Sequence, residues 1–418
     1  MVKFPSNKIK FTENYTLGIA DVLLVYSMLS PIILLIIGAQ IKLLPNFFRT
    51  LIILLGPGVL AGVIYYKVFG SQVLKRSKWI ISCMILFTLV IFLSSIKHLD
   101  TELARESLKF FIAYCLFGFC LGAISNMSII RSKRFNLIWT VFLVGLIVYA
   151  IYQQWPNLNQ RFNLPGINNA QIGTLFYFFA LCVLFKFDSS MKLIARIAVF
   201  TLLLACFIIG FYSGTRTAFF GYLISFGIYL FYYSHIKLNK IYPIIIVCFL
   251  VIVSLILIPS VNKSLKRRYV KSYEDAKNVI RYVISNDSSS YKSVIRLRIW
   301  KDAIRKFKKN PVLGSGFGIS YPDKVSGRNF VHPHNIIIEL LVEIGIVGVC
   351  IFLMLFGLIF AKAFLMLKQT SGTDRLTFFF YPLSLLFFII YSSLHTDLST
   401  EYFKWYFAGI IAGFDTTG

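Results

Sequence analysis

The sequence predicts an all-α polytopic membrane protein of about 12 transmembrane helices, one domain over residues 1–418 with a large helical outward loop at 260–331. Three observations predict it. With 57% hydrophobic residues, 14% charged residues and a mean hydropathy of +0.75, the chain is not an ordinary soluble domain. Its apolar residues gather into runs near bilayer length, about 20 residues each. Its basic residues gather in alternate short connections, as the positive-inside rule expects.

The apolar runs fall at 17–37, 51–70, 79–96, 107–130, 135–154, 171–187, 193–212, 217–234, 241–259, 335–361, 376–394 and 402–414. The first follows Lys3, Lys8 and Lys10 without a small-residue cleavage site, so it reads as an uncleaved span. The last is short and holds Trp405 and Tyr406, which suits a tilted or partly interfacial helix. Lys75, Arg76 and Lys78, then Arg131, Lys133 and Arg134, then Lys237 and Lys240 follow even-numbered spans. Both termini are therefore expected in the cytoplasm and the odd-numbered connections outside. The net charge of +26 divides between these anchors and the outward loop, so nucleic acid is not expected and membrane lipids are. The seven cysteines all fall in apolar runs without a C-x-x-C pair, which indicates neither a disulfide framework nor a zinc site.

Three outward connections carry chemistry. Ser260 to Val331 is interrupted by Asn286-Asp287-Ser288-Ser289-Ser290. Its first half, 265–284, can form a helix, and its second, 294–307, places Ile295, Ile299, Trp300, Ile304 and Phe307 as an amphipathic helix would. Pro311 and Gly314-Ser315-Gly316-Phe317-Gly318 stop that helix. Lys306, Lys308 and Lys309 read as a solvated face touching anionic headgroups. The segment 155–172 is rich in Asn (157, 159, 163, 168 and 169), whose amides suit sugar hydroxyls and turns alike. Tyr212-Ser213-Gly214-Thr215-Arg216-Thr217 is a hairpin so tight that Arg216 lies at the membrane boundary, where an arginine snorkels or holds an anion.

The most distinctive stretch is Val331-His332-Pro333-His334-Asn335, with two of the five histidines. It opens an apolar helix that carries Asn335, Glu339 and Glu343 on one face. An acid inside a membrane costs about 2.5–3.5 kcal/mol, so it usually faces a wet cavity or a partner. Proton-moving rings above such a stripe suit an active site. A capped helix start, with Asn335 as N-cap and Pro333 as breaker, accounts for the same residues more simply.

These residues resemble the bacterial O-antigen ligase family (lipid A-core:surface polymer ligases). His334-Asn335, Gly345 and Gly348, preceded by His332-Pro333, are similar to its signature. Thr215-Arg216-Thr217-Ala218 resembles its Thr-Arg-Ala segment. Arg296-Leu297, Trp300, Pro311 and Gly314-x-Gly316 resemble its large periplasmic loop, and Arg267-Arg268-Tyr269 resembles the start of that loop. The resemblance implies a GT-C-like glycosyltransferase in the inner membrane of a Gram-negative bacterium. Such an enzyme moves O-polysaccharide from undecaprenyl diphosphate to a lipid A-core sugar on the periplasmic face, without nucleotide, cofactor or metal ion. It implies His334 as catalytic base, with His332, Asn335 and Glu339 around the substrate and Glu339 able to orient the ring. Arg216 and Arg296 would hold the diphosphate as planar, permanently charged forks. Arg298, two residues on from Arg296, would point about 160° away on a helix and is expected to tolerate substitution.

Two other readings share these features. An O-antigen or capsule polymerase uses the same donor but tends to carry two substantial outer loops, whereas here only 260–331 is large. A lipid-linked oligosaccharide transporter would favour internal repeats and charges near mid-membrane in several spans.

Overall fold

A computed structural model describes residues 77–124, 133–154, 169–185, 192–236, 295–323, 328–330, 332–370, 372–395 and 402–414, with a few isolated positions elsewhere. The expected spans at 17–37, 51–70 and 241–259, the Asn-rich 155–168 and most of 265–284 lie outside the described residues.

Eleven helices occur among the described residues. They are α1 (Lys78–Ser95), α2 (Glu102–Phe110), α3 (Phe117–Ile124), α4 (Lys133–Gln154), α5 (Asn169–Phe185), α6 (Leu193–Tyr212), α7 (Arg216–Ile236), α8 (Ile295–Lys309), α9 (Ile336–Gln369), α10 (Gly372–His395) and α11 (Tyr402–Gly413). A π-helical turn, Phe111–Leu116, joins α2 to α3 into one continuous rod. Four stretches are long and apolar enough to cross a membrane: Lys78–His98, Glu102–Ala123, Ile194–Tyr212 and Ile336–Gln369. The protein is thus a helical integral membrane protein. The loop adds a feature that hydropathy does not reveal, an antiparallel ribbon of β1 (Tyr321–Asp323) and β2 (Arg328–Phe330).

α11 departs from the expectation of an interfacial helix. Trp405 is 0% and Tyr406 1% exposed, deep among the aromatic rings of the core rather than at a headgroup belt. Glycines permit this. Gly118 and Gly122 on α3 sit four apart, as do Gly409 and Gly413 on α11. A Cβ on Gly409 would lie 2.1 Å from the Phe119 carbonyl oxygen, and one on Gly122 2.1 Å from that of Tyr406. The two backbones are therefore in direct contact, as small-xxx-small pairs allow in membranes.

Contacts sort the helix ends into two sets. At one end, the Ser77 hydroxyl and the Lys362 ammonium both donate to the Ala412 carbonyl, and Arg375 Nε donates to Tyr232 Oη at 2.6 Å. At the other, His98 Nε2 meets the Ser315 carbonyl at 2.7 Å, and Gly318 packs on Ala104 and Ser107. A Cβ on Gly173 would meet Ser213 Oγ at 2.3 Å, which sets the start of α5 against the α6–α7 turn. Each set joins connections that charge alone assigns to one side. Activity of an alkaline-phosphatase fusion at Gly318 is accordingly expected, and none at Lys133. The reverse pattern with both fusions well expressed would invert the topology.

Candidate functional site

The site is built on a helix start. Asn335 is extended (φ −156°, ψ 112°), and its side-chain oxygen accepts from the amides of Ile337 and Ile338 at 3.1 Å each. That satisfies two donors which α9 cannot satisfy internally, and such a cap contributes about 1 kcal/mol. Directly ahead of it His334 has φ 56°, in the left-handed region that costs a non-glycine residue roughly 1–2 kcal/mol. The sharp turn brings the rings of His332 and His334 edge to face, centroids 4.5 Å apart and planes at 86°. Trp300 on α8 fixes the turn from outside, its indole N–H donating to the Pro333 carbonyl at 2.9 Å. Both histidines are half-buried, so one face of the pair remains reachable.

Below the pair the helix is broken. Gly345 has φ 68° and ψ −171°, which no helical residue adopts. The freed backbone groups are taken up by the segment Pro311–Gly316. Ser315 N donates to Val342 O at 2.6 Å and Gly316 N to Glu343 O at 3.0 Å. Ile346 N and Val347 N donate to Pro311 O and Val312 O at 2.9 and 3.3 Å. Irregular backbone beside the hydrocarbon survives only when satisfied in this way. Gly314 and Gly345 meet back to back: a Cβ on Gly314 would lie 2.4 Å from the Glu343 carbonyl carbon, and one on Gly345 2.2 Å from Val312 O. The spacing of these glycines with Pro311 thus follows from one junction.

Glu343 completes it. Buried at 3% exposure, it accepts from Gly318 N and from Tyr321 Oη, both at 3.2 Å. Burial, then the charges of Glu343 and Glu339, push the Tyr321 phenol well above its ordinary range, so it remains the donor. Glu339 is buried one turn below Asn335, with its amide on the Asn335 carbonyl at 2.9 Å.

Of the residues expected at the site, His332, His334 and Asn335 come together, with Glu339 buried beneath. Arg216 is the first residue of α7 and Arg296 the second of α8, but their side chains lie outside what the structure describes. The turn ahead of Arg216 is held by Ser213, which donates to Gly210 O at 2.5 Å and meets Thr215 Oγ1 at 3.0 Å. Two expectations need correction. Arg298 is buried at 7% exposure, because α8 packs this side against the protein, so Arg298→Ala is no longer expected to be tolerated. Lys306 is not part of a solvated face: it donates to Ser320 O at 2.6 Å and lies over the Tyr321 ring at 5.3 Å. Its burial lowers the ammonium pKa, against the opposing pull of Asp302 and Glu343.

The stretch that carries both this junction and the histidines is the one that decides the comparison. Residues 199–353 match the family model of O-antigen ligase. The ligase match runs from α6 through the loop to the part of α9 just beyond the break, and takes in Arg216, Arg296, Trp300 and the histidine pair. A search of curated proteins found none that matches the chain. Trp300 enters the site as a support, where the sequence offered it as an apolar position and as part of the loop resemblance but not as a hydrogen-bond donor. Trp300→Phe keeps the ring but removes the N–H, and is expected to lower turnover several-fold with little change in KM. An unchanged rate would show that the hydrogen bond does not hold the histidine turn.

Proposed function

We propose that the protein is a glycosyltransferase that moves O-polysaccharide from undecaprenyl diphosphate to a sugar hydroxyl of the lipid A-core oligosaccharide, on the periplasmic face of the inner membrane. The observation that carries this reading is His334, held in a left-handed turn by Trp300 and the Asn335 cap at the mouth of a broken membrane helix. A sugar hydroxyl is a poor nucleophile until a base accepts its proton, and an imidazole of ordinary pKa near ~6.5 suits that role at neutral pH. The acceptor oxygen attacks the anomeric carbon as the bond from that carbon to phosphate breaks. The proton passes to His334 and the electron pair leaves with undecaprenyl diphosphate. Arg216 and Arg296, from the start of α7 and the first turn of α8, would hold the diphosphate and disperse its charge. His332, Asn335 and Glu339 would shape the acceptor side.

The test is the lipopolysaccharide of a deletion strain. Rough lipopolysaccharide with long chains left on the lipid carrier supports ligation, whereas single repeat units on the core mean polymerisation. The arginine clamp is tested with purified protein, lipid-linked donor and acceptor in EDTA. Arg216→Lys and Arg296→Lys keep the charge but lose the planar fork. A lost charge-assisted hydrogen bond of about 1.5–3 kcal/mol predicts a fall in turnover of roughly ten- to a hundred-fold. Full activity in Arg216→Ala or Arg296→Ala would rule out the clamp, and loss of wild-type activity in EDTA would mean that a metal takes part.

A further inference from the structure

We infer that the turn Val312–Leu313, with Lys308 and Lys309 just before it, is a membrane-inserted tip that seats the loop on the headgroups of anionic phospholipid. The argument begins with depth. Beyond Gly345, α9 exposes Ile346, Leu353, Met354, Phe364 and Leu365, the 3.6-residue stripe of a helix facing lipid. Ile346 to Gln369 alone spans about 36 Å at 1.5 Å per residue, enough for a hydrocarbon core of about 30 Å. The outer boundary therefore falls near Ile346. A second helix marks the same level: Ser94, one residue from the end of α1, donates to Glu343 O at 2.7 Å.

The turn is fastened at that level by its own backbone, through the Pro311 and Val312 carbonyls on Ile346 and Val347. Val312 and Leu313 are each 57% exposed, and their turn is bonded to the first residue of the lipid-facing stripe, Ile346. In water two adjacent exposed aliphatic residues at a loop tip would be unfavourable, whereas at the edge of the hydrocarbon they are buried in lipid. Lys308 and Lys309 are exposed about one turn earlier, at the height of headgroups, and no acidic residue occurs between Asp302 and Asp323. Charge of a single sign beside an apolar tip matches an anionic bilayer surface. Lys306 takes no part, since it is folded back onto Tyr321.

The experiment reads position rather than reaction, so it stands apart from the proposed ligase activity. A bimane probe is placed by Leu313→Cys in a chain whose seven native cysteines have been replaced. The protein is reconstituted in phosphatidylcholine vesicles with or without phosphatidylglycerol. Nitroxide-bearing lipid is expected to quench the probe and aqueous iodide to leave it bright, while a probe at Lys301→Cys shows the reverse. Iodide quenching at position 313 in both vesicle types would overturn the inference, and so would shielding from both quenchers, which would place protein against the tip. Lys308→Glu with Lys309→Glu is expected to abolish the deeper seating that phosphatidylglycerol confers. Persistence of that difference would refute recognition of the anionic surface. If the cysteine-free chain does not reconstitute, trypsin reports on the native one. Cleavage after Lys309 should slow several-fold when phosphatidylglycerol is added, and an equal rate would overturn the inference.

Discussion

His334→Ala is expected to abolish core-linked polymer while protein abundance and the lipid-linked donor stay at wild-type levels. A positioned base contributes about a hundred- to ten-thousand-fold, which in a cell is the difference between smooth and rough lipopolysaccharide. The left-handed backbone at His334 complicates the alanine variant, because alanine disfavours that conformation. His334→Asn separates the two effects: asparagine accepts the turn but supplies no base. Both variants should be inactive if the ring takes the proton, and an active His334→Asn would reduce the residue to a turn former. His332→Ala should be milder. If His332→Ala were inactive and His334→Ala active, the base would be His332.

Gly345→Ala should be the most disruptive substitution that touches no reacting group. Its Cβ would lie 2.2 Å from Val312 O and 2.5 Å from Gly314 N, and neither backbone atom can swing aside. Relief requires opening the four hydrogen bonds between the break and Pro311–Gly316, each worth about 1 kcal/mol net, on top of about 1–3 kcal/mol for a backbone conformation that is essentially glycine's alone. Several kcal/mol is more than a junction of this size can absorb, so the loop should come away from α9 and take Trp300 off the histidine turn. The measurements are thermal unfolding of the purified protein and transfer activity. Gly357→Ala is the control, since a Cβ there meets nothing within 4 Å, and it should change neither. A Gly345→Ala protein with wild-type melting and activity would show that the junction tolerates crowding and does not set the site.

Much of this was legible in the sequence wherever the signal is local. α6 at 193–212 and α4 near 135–154 are plain from hydropathy, and the Asn335 cap from the polar residue ahead of an apolar run. α2 begins at Glu102, earlier than the apolar run at 107, because Glu102, Arg105 and Glu106 hide its helical start; Thr101 marks it by accepting from the Ala104 amide at 3.3 Å. Long-range pairings left no such trace. A glycine within an apolar run gives no sign of a broken helix until Gly314 is seen against it. Glu343 reads as an intramembrane acid because its donors, Gly318 and Tyr321, stand more than twenty residues earlier. Lys306 and Lys308 have the same chemistry and nearly the same position, and only the fold of Ser320–Tyr321 beneath α8 separates them. The histidine pair was visible as composition, but Trp300 as its support was not, since the carbonyl that its N–H meets stands thirty-three residues away.

The close fit of α11 on α3 also constrains the order of birth. The glycine groove of α3 leaves the ribosome nearly three hundred residues before the helix that fills it, and the carbonyl that receives Ser77 and Lys362 belongs to Ala412 on that same later helix. Until α11 has been made, that groove has only lipid or other helices to cover it. This contact therefore forms late, with α11 entering a groove made well before it. A nascent chain stopped before Tyr402 would hold the sequence of the histidine pair and lack the helix that packs backbone to backbone on α3.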